Sequence, residues 1–176
     1  MRAWGLTNHS SRTRFAGRLN SGVRRHMSVL SAFEKQVLDA CLVGDDPKLA
    51  ALRLQADSAA VTSRDHTVLG AYINFSIPDS VPRLESGTVI IGDVNLEVIG
   101  VPAGVATLLY IYDGKLQFLE FAPYDGEWPQ APEIASIGYL QEVAVTIDSF
   151  TLVPVKERHP ETLSRALKGR ELQSAA

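Results

Sequence analysis

The stretch that most limits the fold is VATLLYIY-DG-KLQFLEF, residues 105–121. Two runs rich in β-branched and aromatic residues flank Asp113-Gly114. An Asp-Gly pair readily takes positive φ at both positions, and the resulting two-residue turn matches the right-handed twist of paired strands. The segment therefore predicts an antiparallel hairpin. Counting outward from the turn pairs Ile111 with Leu116 and Leu109 with Phe118. These four residues make the predicted core face, and Tyr110, Tyr112, Lys115 and Gln117 the wetter one.

Upstream, SAFEKQVLDACLV (31–43) predicts a helix. Ser31 and Glu34 stand at capping-box spacing, so each side chain can satisfy a backbone N–H of the first turn. Leu30, Phe33, Val37, Leu38, Cys41 and Leu42 recur at the three-and-four spacing of one helical face, and Gly44 ends the run. Asp46 then N-caps a second helix, with Pro47 at its first position and Leu49, Leu52 and Ala56 on its apolar side. The connection is short enough to predict that the two helices lie against each other as a hairpin. From residue 61 the texture turns to β. VLGAYINFSI (68–77) reads as a strand, and TVIIGDVNLEVI (88–99) as one strand or two with a bend near Gly92. APYDGEWPQAPE (122–133) is a loop broken by proline and glycine. YLQEVAVTIDSFTLVPV (139–155) adds one or two strands, and a terminal helix over 160–172 carries Leu163, Leu167 and Leu172 on one side. Helices and strands do not alternate as βα units. The expected class is α+β: an N-terminal helical hairpin packed on a mainly antiparallel β-sheet, with a short C-terminal helix.

A chain of 176 residues, 45% hydrophobic and 21% charged, suits a single globular domain with its own core. The single cysteine, Cys41, excludes an internal disulfide and a multi-cysteine zinc site, and its apolar helix face predicts burial. No run of about 18 apolar residues occurs, so no membrane-spanning helix is expected. The net charge of −3 is unevenly divided. Residues 1–27 carry six arginines and no acid, whereas the remainder carries 11 basic and 20 acidic side chains, a net −9. The first 27 residues form a basic extension without a core-forming pattern, expected to be disordered. Three readings fit it. The onset of pattern after Met27 favours a misassigned start; the composition also fits a mitochondrial transit peptide, or a basic arm for nucleic acid. Residues 28–176 form the single α+β domain, whose acidic field disfavours nucleic acid and anionic membranes.

VTSRDHT (61–67) holds Ser63, Asp65 and His66, the residue types of a hydrolase triad. In an extended strand Ser63 and Asp65 point one way and Arg64 and His66 the other, so Asp65 cannot orient His66. No G-x-S-x-G elbow, phosphate loop, D-x-D-x-D-G loop or H-E-x-x-H pair occurs, and no metal or cofactor is expected. Acids gather in the second half: Asp93, Glu97, Glu120, Asp125 and Glu127. A hydrolase-like site would use Arg64 to orient an anionic substrate, with Glu97 and Glu120 as the carboxylates. A binding surface would use Arg64 with Tyr124, Asp125 and Trp128 of the YDGEWP loop, although Trp128 folded back over the core is the simpler reading.

The segments FEKQVLDACLVGDDPKLAALRLQ, VTSRDHT with Gly70, PRL, GDVNLEV and LYIYDGKLQFLEFAPYDGEWP together resemble a family of small uncharacterised bacterial proteins. Such proteins combine a helical hairpin, a VTSR-like stretch and a YDxxWP motif. The resemblance spans about residues 28–130. It implies a cytoplasmic α+β domain of bacterial type and carries over no activity, cofactor or catalytic residue. His66 stands where the family more often has an aromatic side chain. The expectation is a non-catalytic cytoplasmic protein that binds a protein partner, regulatory or of the immunity type that neutralises a basic toxin. The location becomes organellar if residues 1–27 are a transit peptide. The alternative is a small hydrolase-like enzyme using Arg64 with acids of the sheet.

Overall fold

A computed structural model describes residues 27–85, 87–146 and 149–168. Two helices, α1 (Ala32–Cys41) and α2 (Pro47–Asp57), precede seven strands. These are β1 (Ala60–Thr67), β2 (Gly70–Ser76), β3 (Thr88–Val98), β4 (Val105–Tyr112), β5 (Lys115–Pro123), β6 (Ile134–Thr146) and β7 (Ser149–Val155); α3 (Pro160–Leu167) follows. All seven strands join one antiparallel sheet in the order β1-β2-β5-β4-β3-β6-β7. The class is α+β with an antiparallel sheet. Residues 1–26, which make up nearly all of the basic extension, and Leu172 lie outside the described residues.

Local chemistry explains the element boundaries. Ser31 Oγ accepts from Glu34 N–H at 3.2 Å while Glu34 Oε2 accepts from Ser31 N–H at 2.7 Å, which completes the capping box of α1. Asp46 caps α2 by accepting from Lys48 N–H at 2.8 Å. Asp113 and Gly114 close the β4–β5 hairpin at φ +50° and +73°. Glycine is required at 114 for a second reason: a Cβ there would lie 2.2 Å from the Leu84 carbonyl oxygen.

Only one face of the sheet joins the core. Ile73, Ile91, Val94, Leu96, Leu109, Leu116 and Leu119 are buried together with Val37 and Leu38 of α1, Leu49 and Leu52 of α2, and Leu163 and Leu167 of α3. α1 lies on β3 and β6, α2 on β5 and α3 on β3. For α1 and α2 the sheet, rather than the neighbouring helix, is the main contact; it offers the larger apolar surface to both helical faces. The two helices also meet at their junction, where Arg53 of α2 donates to Leu42 O at 2.6 Å and Gly44 O at 3.1 Å. Cys41 is fully buried, and burial pushes its thiol pKa up to about 12, with Arg158 lowering it and Asp93 raising it further.

The β4–β5 register departs from expectation after one pair. Ile111 faces Leu116 as counted, but a bulge at Gln117 then sets Tyr110 against Phe118 and Leu109 against Leu119. One extra residue reverses the faces beyond it. Leu119 therefore takes the core place expected of Phe118, and Phe118 emerges on the opposite face. β3 runs as one strand, with a register shift between Ile91 and Val94 where the bend at Gly92 was expected. Gln55 is a fully buried polar residue on the apolar side of α2. Its amide donates to the Pro82 and Gly114 carbonyls at 2.8 and 2.9 Å and accepts from Leu116 N–H at 2.9 Å. That satisfies most of its capacity and ties α2 to the hairpin turn.

Candidate functional site

VTSRDHT forms β1, an edge strand paired with β2. Arg64 stands opposite Ile73 and His66 opposite Ala71, both core positions, so these two side chains belong to the helix-covered side. Ser63 and Asp65 lie on the other side, where Ser63 Oγ donates to Asp65 at 3.1 Å and Asn74 Nδ2 donates to both. The triad residues are split between the faces, as side-chain alternation requires.

Arg64 is engaged as a clamp on the start of α1. Its Nε and Nη2 donate to the two oxygens of Glu34 at 2.6 and 2.7 Å. Nη2 also donates to Val29 O at 2.9 Å, and Nη1 to Ser28 Oγ at 2.7 Å. Burial alone would raise the Glu34 pKa. Hydrogen bonds from Arg64 and from the Ser31 backbone, with the Arg64 charge, outweigh it and hold the carboxyl below its ordinary value. Residue 28 also pairs with Val61, so the clamp joins the entry of the chain to the sheet edge.

Beside this pair is a cleft of about 280 Å³, walled by the start of α1, the β1–β2 edge, Phe121 and the 128–132 segment. Trp128 folds back into it and is only 8% exposed. Its ring stacks on Phe121 at 5.1 Å between centroids, and Phe33 meets it edge-on at 6.0 Å. Trp128 N–H donates to Val68 O at 3.1 Å, which pins the segment to the β1–β2 turn. Gly70, at that turn, has φ +150° and no room for a side chain, since a Cβ would lie 2.1 Å from Phe121 O. Of the four binding candidates, the cleft brings together Arg64 and Trp128. Tyr124 and Asp125 stay exposed on the loop, and neither lines the cleft.

Glu97 and Glu120 lie on the opposite, open face of the sheet from Arg64. Glu120 stands opposite Tyr72 and Leu108, and Glu97 accepts from Ser136 Oγ at 2.6 Å. The three residues of the hydrolase-like reading are therefore not brought together. The open face instead assembles an aromatic cluster. Phe118 stacks on Tyr110 at 4.2 Å and meets Tyr72 edge-on at 6.1 Å, while Tyr72 Oη donates to Glu120 at 2.9 Å. That hydrogen bond, with the carboxylate charge, raises the Tyr72 pKa; burial and then Glu120 raise that of Tyr110. Register places Asp65, Glu120 and Glu97 on this face. The one basic side chain it places on β1 to β6 of this face is Lys115, whose Nζ is engaged by Asp79 at 2.7 Å and Ile77 O at 3.2 Å.

Two features escaped sequence reasoning. Arg158 and Asp93 form a buried bidentate pair, with Nε–Oδ2 at 2.7 Å and Nη2–Oδ1 at 2.5 Å, and Arg158 Nη1 donates to the Cys41 and Val43 carbonyls at 2.9 and 2.7 Å. Its guanidinium also lies 5.4 Å from the centroid of Tyr139. In VIIGDVNLEV, Asp93 alternates with Asn95 and Glu97 as an outward-facing acid would, so no local signal marks its burial, which only the register shift between Ile91 and Val94 produces. Nothing marks Arg158 either. The pair adjoins a second cavity of about 590 Å³ between the α1–α2 connection and α3. Among the described residues no group of three or more His, Cys, Asp or Glu is placed to hold a metal ion, and no helix is long and apolar enough to cross a membrane. No protein-family model, curated protein or solved structure matches the chain.

Proposed function

We propose that the protein acts by binding, and that the open face of its sheet receives a basic segment of a protein partner. The observation that carries this reading is the juxtaposition of Tyr72, Tyr110 and Phe118 with Glu120, flanked by Asp65 on a face whose one basic side chain on β1 to β6, Lys115, is already engaged. A lysine or arginine laid over these rings gains cation–π attraction, and the carboxylates supply the counter-charge. The net −9 of the body adds long-range steering toward a basic partner. A regulatory or immunity-type role in the cytoplasm, neutralising a basic protein, is the form of this reading that the charge favours. The resemblance to small bacterial proteins with a helical hairpin belongs to the same proposal. The hydrolase-like alternative has less support, since Arg64 is held by Glu34 and both Glu97 and Glu120 face away from it.

Calorimetric titration with a short peptide of alternating arginine, lysine and alanine tests the proposal. Binding is expected at low salt, weakening as salt is added. It should fall about tenfold in a Phe118→Ala, Glu120→Gln double variant and stay unchanged in Asp57→Asn, which removes an acid at the end of α2. Equal affinity for all three proteins, or no binding at low salt, overturns the assignment.

A further inference from the structure

The cavity of about 590 Å³ between the α1–α2 connection and α3 has a mainly apolar wall: Val43, Tyr139, Pro160 and Leu163. Val43 is exposed there, although its neighbours Cys41 and Leu42 are buried. Such a volume, apolar with a few polar groups in its lining, is what a small organic molecule fills.

Hydrogen bonds hold the walls in place. Arg158 grips Asp93 of β3 with both arms and donates to the Cys41 and Val43 carbonyls, which fixes the 157–160 segment against the α1–α2 connection. Lys48 Nζ, at the start of α2, donates to Leu167 O at the end of α3 at 2.7 Å. Tyr139 Oη donates to Ala40 O at 3.3 Å, which sets the ring in the wall. A ligand therefore meets a preformed site, and little ordering opposes its binding.

The charges of the lining select the sign of that ligand. Its acids are Asp45, Asp46 and Glu157, and its one base is Arg158. Arg158 is neutralised by Asp93 and has four of its five N–H donors taken. Asp46 is engaged as the cap of α2. Asp45 and Glu157 are exposed, and neither forms an ion pair among the described residues. An anion would meet three carboxylates and a cation already spent, whereas a cation gains two carboxylates without a counter-charge.

We propose that this cavity binds a small organic amine in its protonated form, its apolar body lying against Val43, Tyr139, Pro160 and Leu163 and its ammonium group drawn to Asp45 and Glu157. The site lies on the helix-covered side of the sheet and shares no residue with the aromatic cluster, so it stands or falls independently of the open-face proposal.

Calorimetric titration of the full chain with phenethylamine tests the assignment, beside phenethyl alcohol and phenylpropionate, which keep the ring and change the charge. Saturable binding of the amine is expected at low salt, about tenfold or more tighter than that of the alcohol, with none of the carboxylate. Ser164→Trp, at an exposed position of the lining, should fill the cavity and abolish binding of amine and alcohol alike. Asp45→Asn with Glu157→Gln should bring the amine down to the affinity of the alcohol and leave the alcohol unchanged. Both variants alter exposed side chains, and circular dichroism checks that they fold. The Phe118→Ala, Glu120→Gln variant of the open face should bind the amine as the wild type does. No saturable binding of the amine up to about 10 mM overturns the proposal. Equal affinity for the three ligands, amine binding that survives Ser164→Trp, or amine binding lost with the open-face variant does so as well.

Discussion

Helix α1 is held at both ends by an arginine, and the two clamps differ mainly in burial. At its start Arg64, on one edge strand, takes Glu34 with both arms of its fork and adds Val29 O and Ser28 Oγ. At its end Arg158, just past the opposite edge strand, takes Asp93 with both arms and adds the Cys41 and Val43 carbonyls. Each clamp also suits the helix dipole, with a carboxylate in the first turn and a cation at the last carbonyls. The Arg64 side chain is 31% exposed, that of Arg158 only 6%. Water can replace part of the first clamp when it is broken and almost none of the second. The same fork chemistry is therefore a moderate tie at one margin of the sheet and a strict requirement at the other.

The largest expected effect is at the buried clamp. Asp93→Asn leaves Arg158 without a counter-charge and should cost about 3–5 kcal/mol in urea unfolding. Glu34→Gln should cost less, about 2 kcal/mol at pH 7, since Arg64 retains Val29 O and access to water. Equal losses would break the comparison. The third prediction sharpens it through pH. Glu34 has its carboxyl pKa depressed in the fold, so its stabilisation is complete above the unfolded-state value of about 4.3 and is lost as pH falls through the lower folded value. The stability gap between wild type and Glu34→Gln should be constant from about pH 8 to 5 and close below about pH 4. A gap unchanged at about pH 3 contradicts the clamp. The smallest effect is expected on the open face. Phe118→Ser should cost about 1 kcal/mol or less, the scale of one aromatic pair, while weakening peptide binding by no more than about tenfold. A loss near that of Asp93→Asn would mean that this face is part of the core.

Much of the fold was legible because its signals are short-range. The capping box of Ser31 and Glu34, the Asp46 cap, the Asp113-Gly114 turn and the alternation of VTSRDHT each involve neighbours within a few positions. Their outcomes follow from backbone geometry alone. The bulge at Gln117 was not legible. KLQFLEF alternates acceptably in either register, and only the core's choice of Leu119 over Phe118 selects one. Of the candidate site, Arg64 and Trp128 were visible as residue types worth naming. Their meeting was not, because Trp128 reaches Phe33 through the packing of the 128–132 segment over the sheet edge. Gln55 was hidden for a related reason: a polar residue beside an apolar stripe looks solvated until the carbonyls that need it are in place.

The sequence by itself determined the class of element along most of the chain, both helix starts, one hairpin turn and the acidic character of the body. These depend on residues a few positions apart and on composition. The tertiary structure alone decided which carboxylate each arginine holds, at separations of 30 residues for Arg64–Glu34 and 65 for Arg158–Asp93, and which face carries the aromatic cluster. The physical reason is that pairing across such distances is selected by how the whole core closes. No local preference distinguishes one carboxylate from another until the sheet has placed it.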